Sequence, residues 1–422
     1  MGSNMAQIFR SQLWHEIVSK GSALLLLLLV LSVQPSALAE PRIVVMGDLH
    51  GDFPRLIELL QMSELADSQS KWVGGDAILV ITGDLMDRGP QVRGVMDMLM
   101  ALEKEAGKQK GKVVTLFGNH EMMNIIGDLR YVTPEIYASF ADNKSEKRRK
   151  DAYKKYLKIR RRQARDMDQP EPAETPELEA EWMAERPLGF VEYREAMSRQ
   201  GKYGRWLRKL PAIAQIGNTI FLHGGIHPEL GSLGIDELNE RIKQEVVNFD
   251  FITEYLVRED LIELFFMFDE VRLAVGSRLN QLNGGVATGG DSLAQNTGLG
   301  LSEQEQAEVN LLESFLDMGN WLAVHPNGPL WFRGYGKWTE EEGTQQVSEL
   351  LRRYGADHFV VGHTITADRD IMERFGGRVF LVDTVQPSAL EIDGGQFMGI
   401  YREGREAPTV AVEEPALSAV SN

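Results

Sequence analysis

The sequence predicts an α/β fold, and three observations carry that expectation. Six short β-branched runs lack polar alternation: Arg42–Met46, Ala77–Thr82, Val113–Phe117, Thr219–Leu222, Phe359–Val361 and Val379–Val382. Near-continuous Val, Ile and Leu of this kind reads as strands buried on both faces. Helical patterns separate the first three runs, over 53–62 behind a capping Asp52 and over 91–106, and strand–helix alternation points to an α/β core. The composition agrees, since 422 residues with 43% hydrophobic and 25% charged side chains suit one large globular core or two ordinary ones.

At the amino end, residues 23–31 form an apolar run that follows Arg10 and Lys20, and Ser-Ala-Leu-Ala closes the segment at Ala39. A basic stretch, a short apolar run and a small-x-small site are the marks of a secretory signal peptide. The run is about half the ~20 residues a membrane-spanning helix requires. Residues 1–39 are therefore expected to be cleaved near Ala39, leaving a secreted or periplasmic protein with no stable membrane insertion; an uncleaved N-terminal membrane anchor is the alternative. His15 belongs to this segment. The folded part is expected over residues 40–406, with a frayed tail over 407–422.

Two helical insertions interrupt this part, at about 130–215 and about 235–325. In the first, Lys144–Arg165 is densely basic and Asp166–Glu185 is acidic and proline-containing. This pattern predicts a solvated helix followed by a mobile acidic linker, with a docking surface as the sharper alternative. The second holds a long apolar-periodic stretch, Ile235–Val275, and a helix near Ser302–Ala323.

Composition removes several chemistries. With no cysteine there are no disulfides, zinc–thiolate sites, iron–sulfur clusters or thiol nucleophiles, so any metal must be held by His, Asp, Glu or Asn. A net charge of −17, from 45 Lys+Arg against 62 Asp+Glu, argues against nucleic acid as a partner, because broad phosphate contact needs a basic surface. The residues carry no sign of an oligomeric state.

The residues just past the strand ends are more informative than the strands. Gly47-Asp48-Leu49-His50-Gly51 trails the first, Gly83-Asp84-Leu85-Met86-Asp87-Arg88-Gly89 the second, and Gly118-Asn119-His120-Glu121 the third. His223-Gly224-Gly225 and Gly362-His363-Thr364 trail the fourth and fifth. Metal-capable side chains thus sit at five strand ends, and the carboxyl edge of a parallel sheet opens on one crevice. Asp48, His50, Asp84, Asn119, His223 and His363 supply two carboxylates, one amide oxygen and three imidazoles. Two ions sharing this set need a bridging carboxylate and would sit ~3.5–4 Å apart. Oxygen and imidazole donors without sulfur suit manganese, iron or zinc. Such a pair lowers the pKa of a shared water, so that hydroxide can attack phosphorus in line. Of the remaining histidines, His227 is a candidate support behind the ligands, while His325 and His358 are expected to be structural.

The ordered pieces GDLHG, GDLMDRG, GNHE, HGG and GHT resemble the phosphoprotein phosphatase branch of the calcineurin-like metallophosphatases, and are most similar to the Shewanella-like protein phosphatases. The resemblance covers roughly residues 42–405, with the insertions matched only loosely. It implies a four-layer α/β/β/α metallophosphoesterase sandwich. By the same resemblance, Asp48 and His50 hold a first metal, Asp84 bridges, and Asn119, His223 and His363 hold a second. Manganese is the first expectation, with iron or zinc as alternatives. Arg88 would clamp the substrate phosphate, with Arg333 as the second arginine. His120 would protonate the leaving group, with Asp87 orienting it and keeping it charged. Arg333 lies in a Gly-Pro-Leu-Trp-Phe-Arg-Gly segment that departs from the eukaryotic pattern, and the C-terminal signature through which eukaryotic members meet toxin inhibitors is missing.

The resulting expectation is a metal-dependent phosphatase that hydrolyses phosphate monoesters on phosphoproteins or phosphopeptides without a covalent intermediate. One rival is a nucleotide, diadenosine polyphosphate or phosphodiester hydrolase on the same fold. A rival of another class is an inactive protein that captures phospho-ligands.

Overall fold

The structure is a computed structural model, and it describes residues 40–282, 301–365 and 370–411. The chain divides after Pro41 into two units. The expected signal segment lies outside the described residues, as do 412–422 of the expected tail and 283–300 of the second insertion.

In the unit beginning at Arg42, the strands are β1 (Ile43–Met46), β2 (Ile78–Ile81), β3 (Lys112–Thr115), β4 (Ile213–Ile216), β5 (Thr219–Leu222), β6 (His358–Val361), β7 (Met372–Arg374), β8 (Val379–Leu381), β9 (Ala389–Asp393), β10 (Gln396–Tyr401), β11 (Gly404–Glu406) and β12 (Thr409–Val410). They form two six-stranded sheets, ordered β11-β10-β9-β1-β2-β3 and β12-β7-β8-β6-β5-β4. The parallel centre of the first is β1–β2–β3 and that of the second is β5–β6–β8. Antiparallel strands β9, β10 and β11 extend the first sheet, while β4 and β7 flank the second. Both sheets are therefore mixed.

Strand periodicity explains why the central runs carry no polar alternation. Alternate residues Val45, Val80, Val114, Phe221, Val360 and Phe380 pack together in a core drawn from both sheets. Their neighbours Val44, Leu79, Ile81, Leu222, Phe359 and Val361 pack with helical residues such as Leu56, Leu99 and Leu351 instead. Each central strand thus buries one side against the other sheet and one against helices, the α/β/β/α layering, and every such Val, Leu or Phe contributes about 1.5–3 kcal/mol.

The helices at 53–62 and 92–108 fall where the pattern predicts them. Asp52 accepts the Arg55 backbone N–H to start the first, and Pro54 occupies its opening turn. The insertions depart from expectation in three places. The basic helix Ser145–Asp166 is not solvated all round, because Ala152, Tyr153, Leu157 and Ile159 bury one face. The acidic linker instead carries a helix, Pro176–Glu185, which begins where Thr175 Oγ1 accepts the Leu178 N–H. Its Trp182 is buried between the rings of Tyr153 and Tyr156 and the guanidinium of Arg186, whose carbon lies 4.8 Å from the indole centroid. That anchor outweighs the segment's acidity. The Ile235–Val275 stretch is two helices, Ile235–Arg258 and Phe268–Leu282. Beyond Glu406, Thr409 and Val410 pair with β7 rather than fraying. Among the described residues, no helix is long and apolar enough to cross a membrane.

Candidate metal centre

The carboxyl ends of β1, β2, β3, β5 and β6 bring all six candidate ligands together. The turns that achieve this are sharp. His50 (φ 43°), Asp84 (φ 51°), Asp87 (φ 69°), Arg88 (φ 63°) and His363 (φ 64°) all adopt the left-handed backbone that side-chain-bearing residues disfavour. Two glycines make room for the carboxylates. A Cβ on Gly118 would stand 2.4 Å from Asp84 Oδ1, and one on Gly362 would stand 2.5 Å from Asp48 Oδ1.

Asp84 is the common member of two groups that could each hold a cation. His50, Asp84 and His120 form one and Asp84, His223 and His363 the other, with ligand atoms in each group within 4.8 Å of one another. Asp84 Oδ2 lies 3.8 Å from His50 Nε2, 3.7 Å from His120 Nε2 and 3.2 Å from His223 Nε2. Asp48 lies 3.8 Å from His50 and 3.9 Å from His223. Asn119 Oδ1 is 2.8 Å from His223 Nε2. Several rings are fixed from behind: the Nδ1 atoms of His50 and His223 each sit 2.9 Å from a backbone carbonyl, of Met86 and Thr82 respectively, which leaves Nε2 facing the centre. Oxygen and imidazole donors converging on one shared carboxylate fit a pair of divalent cations.

The electrostatics of this crowding are uneven. Burial would lower His223, but Asp84 and Asp48 outweigh it and hold the ring at about 9. Burial lowers His50 to about 4, the neutral form a metal ligand needs, and likewise pushes His363 far down. Burial and the neighbouring Asp383 push Asp48 well above the carboxylate range. Asp84 goes the other way: despite its burial, His223 and the other imidazoles keep it ionised.

Beside the shared carboxylate sits the expected acid pair. His120 Nδ1 lies 2.5 Å from Asp87 Oδ2. Burial alone would lower His120, but the bond to Asp87 and the charge of Asp84 overcome it and raise the ring. Asn124 holds Asp87 in turn, donating Nδ2–H to Oδ1 at 2.9 Å, and the buried Tyr193 hydroxyl donates to Asn124 Oδ1. Glu121 accepts the backbone N–H groups of Asp84, Leu85 and Gly118 at 2.8–2.9 Å, tying the second and third strand ends together. Arg88 is exposed at the rim, its carbon 5.9 Å from the Tyr131 ring centroid. Arg333 reaches the site from the other sheet's side and donates to the His363 carbonyl oxygen.

Three neighbours were not singled out from the sequence. Asp383 comes after β8 as the other ligands come after their strands, is buried beside Asp48, and lines a 530 Å³ groove with His50, Arg88, Ile365 and Val385. Its signal, an acid at the end of a sixth apolar run, lacked only the flanking glycine. Tyr131, 45% exposed, places its ring 5.2 Å from that of His120. Asn124 is the third. His227 stands apart, packed edge-on against Phe332, and His325 and His358 accept or donate locally outside the cluster.

The model of the calcineurin-like phosphoesterase family matches residues 41–367. Shewanella-like protein phosphatase 2 of Arabidopsis thaliana is 32% identical over 217 residues, covering 49% of this chain and 52% of that protein. Shewanella-like protein phosphatase 1 of Plasmodium berghei is 26% identical over 227 residues, covering 52% of this chain and 51% of its own length. The chain thus spans about half the length of these two relatives. The crystal structure of a cold-active protein-tyrosine phosphatase of a Shewanella species matches 87% of this chain and 80% of its own with a TM-score of 0.52 at 22% identity, a likeness of fold. The family match over most of the chain and the His/Asp cluster at its strand ends agree: this chain belongs to the calcineurin-like phosphoesterases, as a metallophosphoesterase related to the Shewanella-like protein phosphatases.

Proposed function

We propose that the protein is a metal-dependent phosphatase that hydrolyses phosphate monoesters on phosphoproteins or phosphopeptides. The observation that carries this reading is the His120–Asp87 pair set against Asp84, the carboxylate common to both candidate cation groups. Asp48 and His50 would hold one ion, Asn119, His223 and His363 the other, with Asp84 between them. Two divalent cations, manganese first among them, would supply the positive charge that makes water nucleophilic at neutral pH and offsets charge on the phosphoryl oxygens.

The chain's own residues do the rest. Arg88 and Arg333 bind and orient the phosphoryl group from opposite sides of the site. His120, kept protonated by Asp87, gives the proton from its Nε2 to the departing alkoxide or phenoxide, a contribution of ~10²–10⁴-fold. Asn124 and Tyr193 hold Asp87 so that its second oxygen stays on the imidazole. Exposed Tyr131, Ile365 and Val385 border the approach and offer apolar contact to the leaving side chain. The protein-phosphatase relatives support phosphoprotein substrates over nucleotides, and the signal-like segment supports export.

The test is the mature chain, stripped of metal, reloaded with manganese and assayed on p-nitrophenyl phosphate, bis-p-nitrophenyl phosphate and a phosphopeptide panel. Turnover of the monoester and of phosphopeptides well above the diester is expected. Faster diester hydrolysis would favour the phosphodiesterase rival. Phosphopeptide binding without turnover would favour the inactive binder.

A further inference from the structure

Within the helical insertions, the helices Phe190–Met197, Ile235–Arg258 and Phe268–Leu282 border a cavity of about 290 Å³. Its lining is mainly apolar, including Met197, Phe249, Val257, Ile262 and Phe266. Exposed Arg199, Arg258 and Leu264 also line it, so it opens to solvent.

Four arginines border this cavity, and three have a carboxylate. Arg208 forms two parallel bonds to Asp250, each 2.8 Å; Arg199 reaches Glu254 at 2.8 Å and Arg258 reaches Glu259 at 3.1 Å. The fourth, Arg194, is the most buried of them, 8% exposed, and makes no ion pair among the described residues. Its Nη1 donates to the Asn124 carbonyl at 2.8 Å and its Nη2 to the Phe266 carbonyl at 3.4 Å, while its buried Nε finds no acceptor. A guanidinium so far from water is costly to keep charged unless an opposite charge offsets it.

We propose that this cavity binds a small amphipathic monocarboxylate, its head paired with Arg194 and its apolar body lying along Phe249, Val257 and Ile262. A carboxylate matches the guanidinium fork and neutralises its single charge. A neutral amphiphile would leave that charge as it stands, and a phosphate would bring a surplus negative charge into an apolar space. The same Arg194 Nη1 bond lands on Asn124, whose amide holds Asp87, so the head group would sit two residues, Arg194 and Asn124, behind the His120–Asp87 pair.

Calorimetric titration of the full chain with octanoate, and separately with octan-1-ol, tests the assignment without reference to turnover. One saturable octanoate site is expected, with octan-1-ol binding at least tenfold more weakly. Arg194→Met should weaken octanoate by at least tenfold. Val257→Trp, which fills the apolar half of the cavity and leaves the arginine in place, should abolish binding. Equal affinity for acid and alcohol, undiminished binding to Val257→Trp, or no saturable octanoate site in the unaltered chain would each overturn the proposal.

Discussion

The strand-end site and the helical insertions both bury charge, but only the insertions largely neutralise it from within. Between the helices, Arg208 faces Asp250 in a two-bonded pair and Arg186 faces Glu270 at 2.6 Å. At the strand ends, five buried acids, Asp48, Asp84, Asp87, Glu121 and Asp383, crowd around imidazoles with no fully buried arginine or lysine among them. The crowding shows in how these groups titrate: burial and Asp383 push Asp48 up, and Asp84 and Asp48 outweigh burial to hold His223 at about 9. The difference teaches what each region is for: paired charges hold an architecture together, while an excess of one sign around a shared carboxylate is a site that cations complete.

Five tests would break or sharpen that contrast. Asp84→Asn carries the largest expected effect, because it strikes both candidate cation groups at once. Metal content by elemental analysis and turnover should fall together to background, and full occupancy with full activity would remove Asp84 from its shared role. His120→Asn should keep the metal but slow turnover by ~10²–10⁴-fold, with unchanged turnover removing it as the acid.

On the helical side, Arg208→Met strands a buried carboxylate and should cost about 3–5 kcal/mol in urea unfolding. Adding Asp250→Leu should recover most of that loss, whereas equal instability of the double variant would mean packing dominates. The fourth effect is a shift along the pH axis. The proposed acid role requires His120 to be protonated, so activity is expected to fall as pH rises through its raised pKa. Asp87→Asn removes the carboxylate that raises it, and the alkaline limb of kcat/KM should move to lower pH; a limb that stays put would assign it to another group. The smallest is Thr175→Ala, which deletes the cap of the Pro176–Glu185 helix and should cost about 1 kcal/mol. No change in its urea midpoint would show that Trp182 alone anchors the helix.

How much of this was legible in the sequence depends on how local each signal is. The central strands and their trailing Asp, His and Asn residues announce themselves within a few positions, because a strand buried on both faces must be apolar throughout. Strands β7, β9, β10 and β11 do not. Met372-Glu373-Arg374 and the mixed Gln396–Tyr401 stretch become strands through pairing with partners that already have a register. The support behind His120 was hidden for a similar reason, since Tyr193 meets Asn124 across 69 positions of chain. The helix at 176–185 is a different case. Thr175-Pro176-Glu177 is a readable helix start, but the acidity and prolines of the segment pointed to a linker, and the partner of Trp182 could not be seen.

The left-handed backbone at His50, Asp84, Asp87, Arg88 and His363 has a further meaning. Only glycine adopts that conformation freely, and other residues sacrifice roughly 1–2 kcal/mol each to hold it. The fold therefore surrenders stability at the places where its reactive groups are aimed. Selecting variants of this chain for heat resistance alone would be expected to drift toward glycine at these corners, giving a sturdier protein that has lost its chemistry.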